Sequence, residues 1–171
     1  ETALALLDCV EYKDSVAQRI NAAYQYYKPA LDSAAVGDTI IFGKYEQDND
    51  TSNGKEKIEW LVLAKKDDRL LVISQYALDC QQYNTSYTKV TWEDCTLREW
   101  LNEDFLNAAF LDGEKAMIPT VTVPADKNPD FPFKANPGND TQDKVFLLSM
   151  VEAKEYFQSD EERMCVPTAY A

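Results

Sequence analysis

Apolar positions along this chain switch between the helical and the strand period, and each switch predicts an element. Over residues 1–33 the period is helical. Ala3, Leu4, Leu6, Leu7 and Val10 form one stripe, and Ile20, Ala23, Tyr24, Tyr27 and Leu31 form a second at steps of three and four. Two stripes predict an N-terminal helical hairpin, with Asp14 or Ser15 capping its second helix and Pro29 bending or stopping it. Gly37-Asp38 marks a boundary, so residues 1–35 and 36–171 are expected to be separate units.

The second unit begins with strand signals. Residues 39–42 predict a short strand ended by Gly43, and residues 46–57 a polar loop. The runs 58–64 (IEWLVLA) and 70–74 (LLVIS) predict a β-hairpin turning over residues 65–69. Residues 76–87 are aromatic and polar and wind between elements. Thr96 with Glu99 has the form of a capping box. Leu97, Trp100 and Leu101 then make one helix face, and Asn102 ends that helix and caps another through Phe105, Leu106, Ala109 and Phe110. A turn over 114–118 stops at Pro119, and Val121 and Val123 alternate as a strand. Residues 125–142 predict a long irregular loop, 145–149 (VFLLS) a buried strand, and Ser149 a helix start followed by Val151, Ala153, Tyr156 and Phe157.

Composition narrows the chemistry. Hydrophobic residues make up 45% of the chain, enough for a packed core. The first residue is Glu1, with no signal peptide ahead of it, so the chain reads as a piece of a longer protein. No apolar run approaches the roughly 20 residues of a membrane span. A net charge of −13 is repelled by phosphate backbones and anionic lipid, which argues against nucleic acid and membrane insertion. The chain has no histidine, which removes Ser-His-Asp and Cys-His pairs and His-liganded zinc. Cys9, Cys80, Cys95 and Cys165 form no CxxC pair. They read as small core hydrophobes, with a Cys80–Cys95 disulfide left open.

Three places carry candidate chemistry. Arg98, between Leu97 and Trp100, predicts a half-buried guanidinium in a structural ion pair, the alternative being anion recognition. Asp48, Asp50 and Ser52 alternate, with Glu59 at the twelfth place, echoing an EF-hand loop and admitting calcium. The glycine falls one residue late, at Gly54, and Glu59 lies in a predicted strand, so a solvated loop is the plainer reading. In residues 136–143 (NPGNDTQD), Asn and Asp oxygens offer ligands for calcium or sugar hydroxyls. No residue pattern singles out a catalytic group.

Five blocks in order, GDTIIFGKYEQD, IEWLVLA…LLVIS, WEDCTLREWLNEDFLNAAF, TQDKVFLLSMVEAKEYF and RMCVPTAYA, resemble an uncharacterised bacterial domain family of anaerobic gut Firmicutes. The lead segment LDCVEYKDSVAQRINAAYQYYKPAL resembles part of a tetratricopeptide-like or Sel1-like repeat. The domain resemblance implies the C-type-lectin-like fold shared with formylglycine-generating enzymes. That means an α+β domain with a mixed, mostly antiparallel twisted sheet and two or more helices. Relatives continue with a WWLRSPG-like motif and a terminal GVRPAL-like strand, so a C-terminal part is expected to be missing. True lectins carry EPN or WND triplets; the nearest string here is Trp92-Glu93-Asp94. The oxidase chemistry needs a close cysteine pair, which this chain lacks. The resemblance therefore implies a non-catalytic recognition module for a protein or glycan ligand, with a carboxylate-based hydrolase or a structural scaffold as alternatives. Its compartment stays open, with the cell surface or secretion ahead of the cytoplasm.

Overall fold

A computed structural model of the chain describes residues 2–131, 133 and 136–171, with the backbone alone for residues 2–14. The chain is α+β, with antiparallel sheets and several helices. It opens with α1 (Thr2–Ser33), a single continuous helix where the two stripes predicted a hairpin. Asp14 and Ser15 lie inside it rather than at a helix start. A helical repeat needs a helix pair, and α1 supplies one helix. Pro29 also lies inside α1 and does not stop it. Its fixed φ suits a helix, and the hydrogen bond it removes falls on an exposed position one turn from the end. The C-terminal carbonyls of α1 are closed by a distant side chain: Lys65 Nζ donates to Asp32 O at 2.7 Å and Ala34 O at 2.8 Å.

Three antiparallel strands follow, β1 (Thr39–Tyr45), β2 (Glu56–Lys66) and β3 (Arg69–Ser74), in the order β1-β2-β3. The predicted β2–β3 hairpin is present and turns at Asp67-Asp68. The strand predicted at 39–42 runs on past Gly43, because a glycine at φ +75° absorbs a bulge between Ile41 and Lys44. A Cβ at Gly43 would sit 2.5 Å from the Phe110 ring.

The central helical layer is α2 (Thr96–Trp100), a π-helical turn (Leu101–Phe105) and α3 (Leu106–Ala109), one uninterrupted rod. Asn102 was expected to end a helix; it sits inside the wide turn instead. Its Nδ2 donates to Arg98 O and Val145 O, and its Oδ1 accepts the N–H groups of Lys144 and Val145. Thr96 does not cap α2 either. The first N–H groups of α2 go elsewhere, Thr96 N to Asn84 Oδ1 and Leu97 N to Tyr83 O, while Thr96 Oγ1 accepts from Thr85 N.

A short α4 (Asp112–Lys115) precedes β4 (Val121–Val123), which pairs antiparallel with β5 (Thr141–Asp143). β5 lies where an irregular loop was expected. Residues 145–149 form no strand, since Val145 spends its backbone groups on Asn102 and Leu147 is exposed. α5 (Met150–Tyr156) starts as expected at Ser149, whose Oγ accepts Glu152 N–H while Glu152 returns to Ser149 N–H.

The rod packs on the sheet through Tyr45, Ile58, Leu78, Phe105, Leu106, Ala109 and Phe110. Trp60 joins this cluster to a second one of Ala34, Ile40 and Val62, and its indole N–H donates to Phe42 O. α1 docks on α4. Tyr27 OH donates to buried Glu114 at 2.5 Å, and burial followed by that carboxylate holds the phenol pKa well above its ordinary range. Gly113 lets the two helices touch, since a Cβ there would lie 2.7 Å from Arg19 O. Gly113→Ala should therefore lower stability by about 1–3 kcal/mol in urea melts, although alanine is the better helix former. Unchanged or raised stability would show that α1 does not press on α4.

Candidate functional site

Arg98 lies on α2 and reaches β5. Its Nε donates to Asp143 Oδ1 at 2.8 Å and its Nη1 to Glu93 O at 3.1 Å. Asp143 is 2% exposed, and its other oxygen accepts Trp92 Nε1 at 3.0 Å and Thr141 Oγ1 at 2.6 Å. The half-buried guanidinium is thus committed to internal partners, an enclosed carboxylate with three donors and a backbone carbonyl. This is the structural ion pair that the Leu-Arg-Glu-Trp context predicts.

The loop 46–55 joins β1 to β2. The structure does not bring Glu59 to Asp48 and Asp50; Glu59 is an exposed strand residue opposite Ile41. Asp50 instead turns on its own loop, its Oδ1 accepting Ser52 N–H and Oγ–H. The carboxylates that do converge are Glu46, Asp48 and Glu56, with oxygens within 4.8 Å of one another. Glu46 and Glu56 were missed because the pattern was read along the loop rather than across it. The pairing of Tyr45 with Glu56 brings the two loop ends together.

Most of these oxygens already serve the loop. Glu46 Oε1 accepts Asp50 N–H, Glu56 Oε2 accepts Gln47 N–H, and Asp48 accepts from Asn53 Nδ2 and Asp50 N–H. Calcium takes six to eight oxygens, and three partly committed carboxylates fall short of that set. Burial first, then the hydrogen bond with Asp48 and the charge of Glu56, pushes the Glu46 carboxyl above its ordinary pKa range. The Asn53 side chain and the Asp50 N–H hold Asp48 below its own.

The third candidate loop, 136–143, comes against the segment 82–91. Asn136 lines an open cavity of about 1000 Å³ together with Tyr83, Asn84, Ser86, Tyr87 and Thr88. Two contacts hold the loop there. Glu93 Oε2 accepts the backbone and side-chain N–H groups of Asn139. Gly138, at φ +86°, also lies so close to Thr91 that a Cβ would sit 2.7 Å from its Oγ1. That hydroxyl is buried without a hydrogen-bond partner. Asn84 shapes the other wall, donating to Ser86 O and Thr88 Oγ1. Tyr83 has its phenol pKa pushed up to about 12, by burial and then by Cys95 beside it, so it stays a neutral hydrogen-bonding group at neutral pH.

Three cysteines have described side chains. Cys95 is buried with its Sγ donating to Trp92 O, whereas Cys80 and Cys165 are exposed, and the three are free thiols. The Cys80–Cys95 disulfide is not formed, and the core reading holds for Cys95 but not for Cys80 or Cys165. The Cys9 side chain lies outside the described residues.

Comparison with known families matches residues 67–169 to a domain of unknown function, DUF6273. The chain belongs to the DUF6273 family. The match starts at Asp67, in the β2–β3 turn, although β2 pairs with strands on both sides of that point. No curated protein and no solved structure matches this chain. Among the described residues of this DUF6273 chain, no helix is long and apolar enough to cross a membrane.

Two substitutions test the geometry of the DUF6273 domain. Arg98→Ala should cost about 3–5 kcal/mol of stability, because it leaves the enclosed Asp143 uncompensated. A loss below about 1 kcal/mol in denaturant melts would mean that the pair is not holding the fold. Glu46 binds its proton more tightly folded than unfolded, so its contribution falls as pH rises from the ordinary glutamate pKa through the raised folded value. Glu46→Gln should therefore raise the melting temperature at pH 7, with the gain disappearing below about pH 4. A gain that persists at pH 3 would assign the effect to something other than this carboxyl.

Proposed function

We propose that this chain is a non-catalytic recognition module, and that the cavity between residues 82–91 and Asn136 takes a hydroxylated ligand of the glycan class. The observation that carries this reading is the lining: tyrosines, amides and hydroxyls with Lys89 and Val90, and no Asp or Glu among the described residues. Tyrosine rings offer flat apolar faces to the C–H surfaces of a sugar ring, and Asn, Ser and Thr donate to and accept from its hydroxyls. A glycosidase needs two carboxyls flanking the bond it cuts, so this lining argues against the hydrolase alternative at this cavity. Kinship with C-type-lectin-like domains and a bacterial source belong to the same proposal. The α+β architecture with antiparallel sheets supports the first of these, and fold analogy adds little about the ligand.

A glycan array, followed by calorimetric titration of the hits, tests the reading. Tyr87 is fully exposed, so Tyr87→Ala should leave the melting temperature within about 2 °C while weakening glycan binding at least ten-fold. Asn136→Ala should weaken it as well. An array without hits, or hits indifferent to both substitutions, would overturn the proposal and leave the scaffold reading ahead.

A further inference from the structure

We infer that the outer edge of β1, facing the last turns of α1, takes an extended acidic peptide segment as a fourth strand. This inference is independent of the glycan cavity, with which the groove shares no lining residue.

β1 is a terminal strand of the sheet. Val62 N–H donates to Asp38 O, and Gln75 N–H donates to Glu59 O. Antiparallel ladders alternate the direction of successive backbone groups. Together with the register Thr39–Leu61, Ile40–Trp60 and Ile41–Glu59, this turns Ile40 toward β2 and aims the N–H and C=O groups of Thr39 and Ile41 away from it. Both residues are exposed. Among the described residues, no side chain from another element reaches these backbone groups. They form a short template for strand addition.

A groove of about 840 Å³ runs along this edge, with Tyr26, Tyr27, Ala30 and Ala34 of α1 on one side and Ile40 and Ile41 on the other. The two alanines leave space for alternate side chains of an added strand, and Tyr26 is 72% exposed. A helix beside an open edge strand is a recurring geometry for peptide capture.

Charge selects the occupant. Lys44 and Lys57 line one end of the groove and are register partners across β1 and β2. Like charges directly opposite one another destabilise a sheet. Both residues are exposed, and among the described residues neither ammonium makes an ion pair or hydrogen bond. On a chain of net charge −13, this is a local cationic site, and a carboxylate on the incoming strand would answer it.

The test uses the whole chain and a phage-displayed library of random octapeptides. Selection should enrich sequences that alternate apolar residues and carry Asp or Glu near one end. A synthetic peptide of the enriched sequence should slow amide exchange at Thr39 and Ile41. Lys44→Glu with Lys57→Glu should weaken that peptide at least ten-fold without lowering the melting temperature. Ile41→Pro, which removes an outward N–H that β2 does not use, should weaken it similarly. If Ile41→Pro fails to fold, the lysine variants and the exchange data decide. The inference is overturned if no acidic sequence is enriched, or if the peptide binds the lysine variants as tightly as the parent chain. It is also overturned if sedimentation shows a dimer that Ile41→Pro abolishes, since a second copy would then own the edge.

Discussion

The carboxylate of Asp143 is the point on which the rest of this structure depends. It collects Trp92 from the loop before the helical rod, Arg98 from the rod and Thr141 from its own strand. Each donor belongs to a different part of the chain's hydrogen-bonding network, so one side chain sets the distance between rod and β5. Enclosing a charge is costly unless every lone pair is answered. Two of these donors, Trp92 and Arg98, lie outside β5 and tie it to the rod. The loop wall bearing Asn136 inherits its position from this anchor: Asn136 lies two residues before Gly138, which touches Thr91, and seven before Asp143.

Helix ends are closed mostly from afar. Lys65 covers the last carbonyls of α1, Lys55 reaches Ala108 O at the end of α3, and Lys144 donates to Lys115 O and Ile118 O after α4. At the N-terminus of α2 the partners are Asn84 and the Tyr83 carbonyl. Lysines fit the negative ends of helices. Each such contact joins elements that lie far apart in sequence, so helix formation and tertiary packing are one event here. α5 carries a reciprocal side-chain cap from its own first turn, and its start was legible in the sequence.

That contrast explains what was legible. The β2–β3 hairpin, the strand at 121–123 and the start of α5 are written in local periodicity and turn chemistry, and they appear where expected. The structural role of Arg98 was legible too, because a guanidinium among Leu and Trp needs a counter-charge. Its partner was not, since Asp143 sits in a stretch of Asn, Asp and Gln with no strand signal and becomes a strand only by pairing with β4. Continuity of α1 through Pro29, and of the rod through Asn102, depends on where exposed or tertiary-bonded backbone groups end up, which periodicity does not encode. Convergence of Glu46 with Glu56 needed the register of β1 on β2. The cavity required two loops, 82–91 and 136–140, to meet across more than 40 residues, as Glu93 and Asn139 do.

Sequence separation has a further consequence during synthesis. Arg98 and Asp143 are 45 residues apart, and ribosomes add roughly 5–20 residues per second. For about 2–9 seconds the guanidinium and the aromatic rod around it have emerged without the acid that secures them. During that interval the nascent chain displays Trp92, Trp100 and Phe105 beside an unanswered positive charge. The central rod thus needs shelter on the ribosome until the chain around Asp143 has followed it.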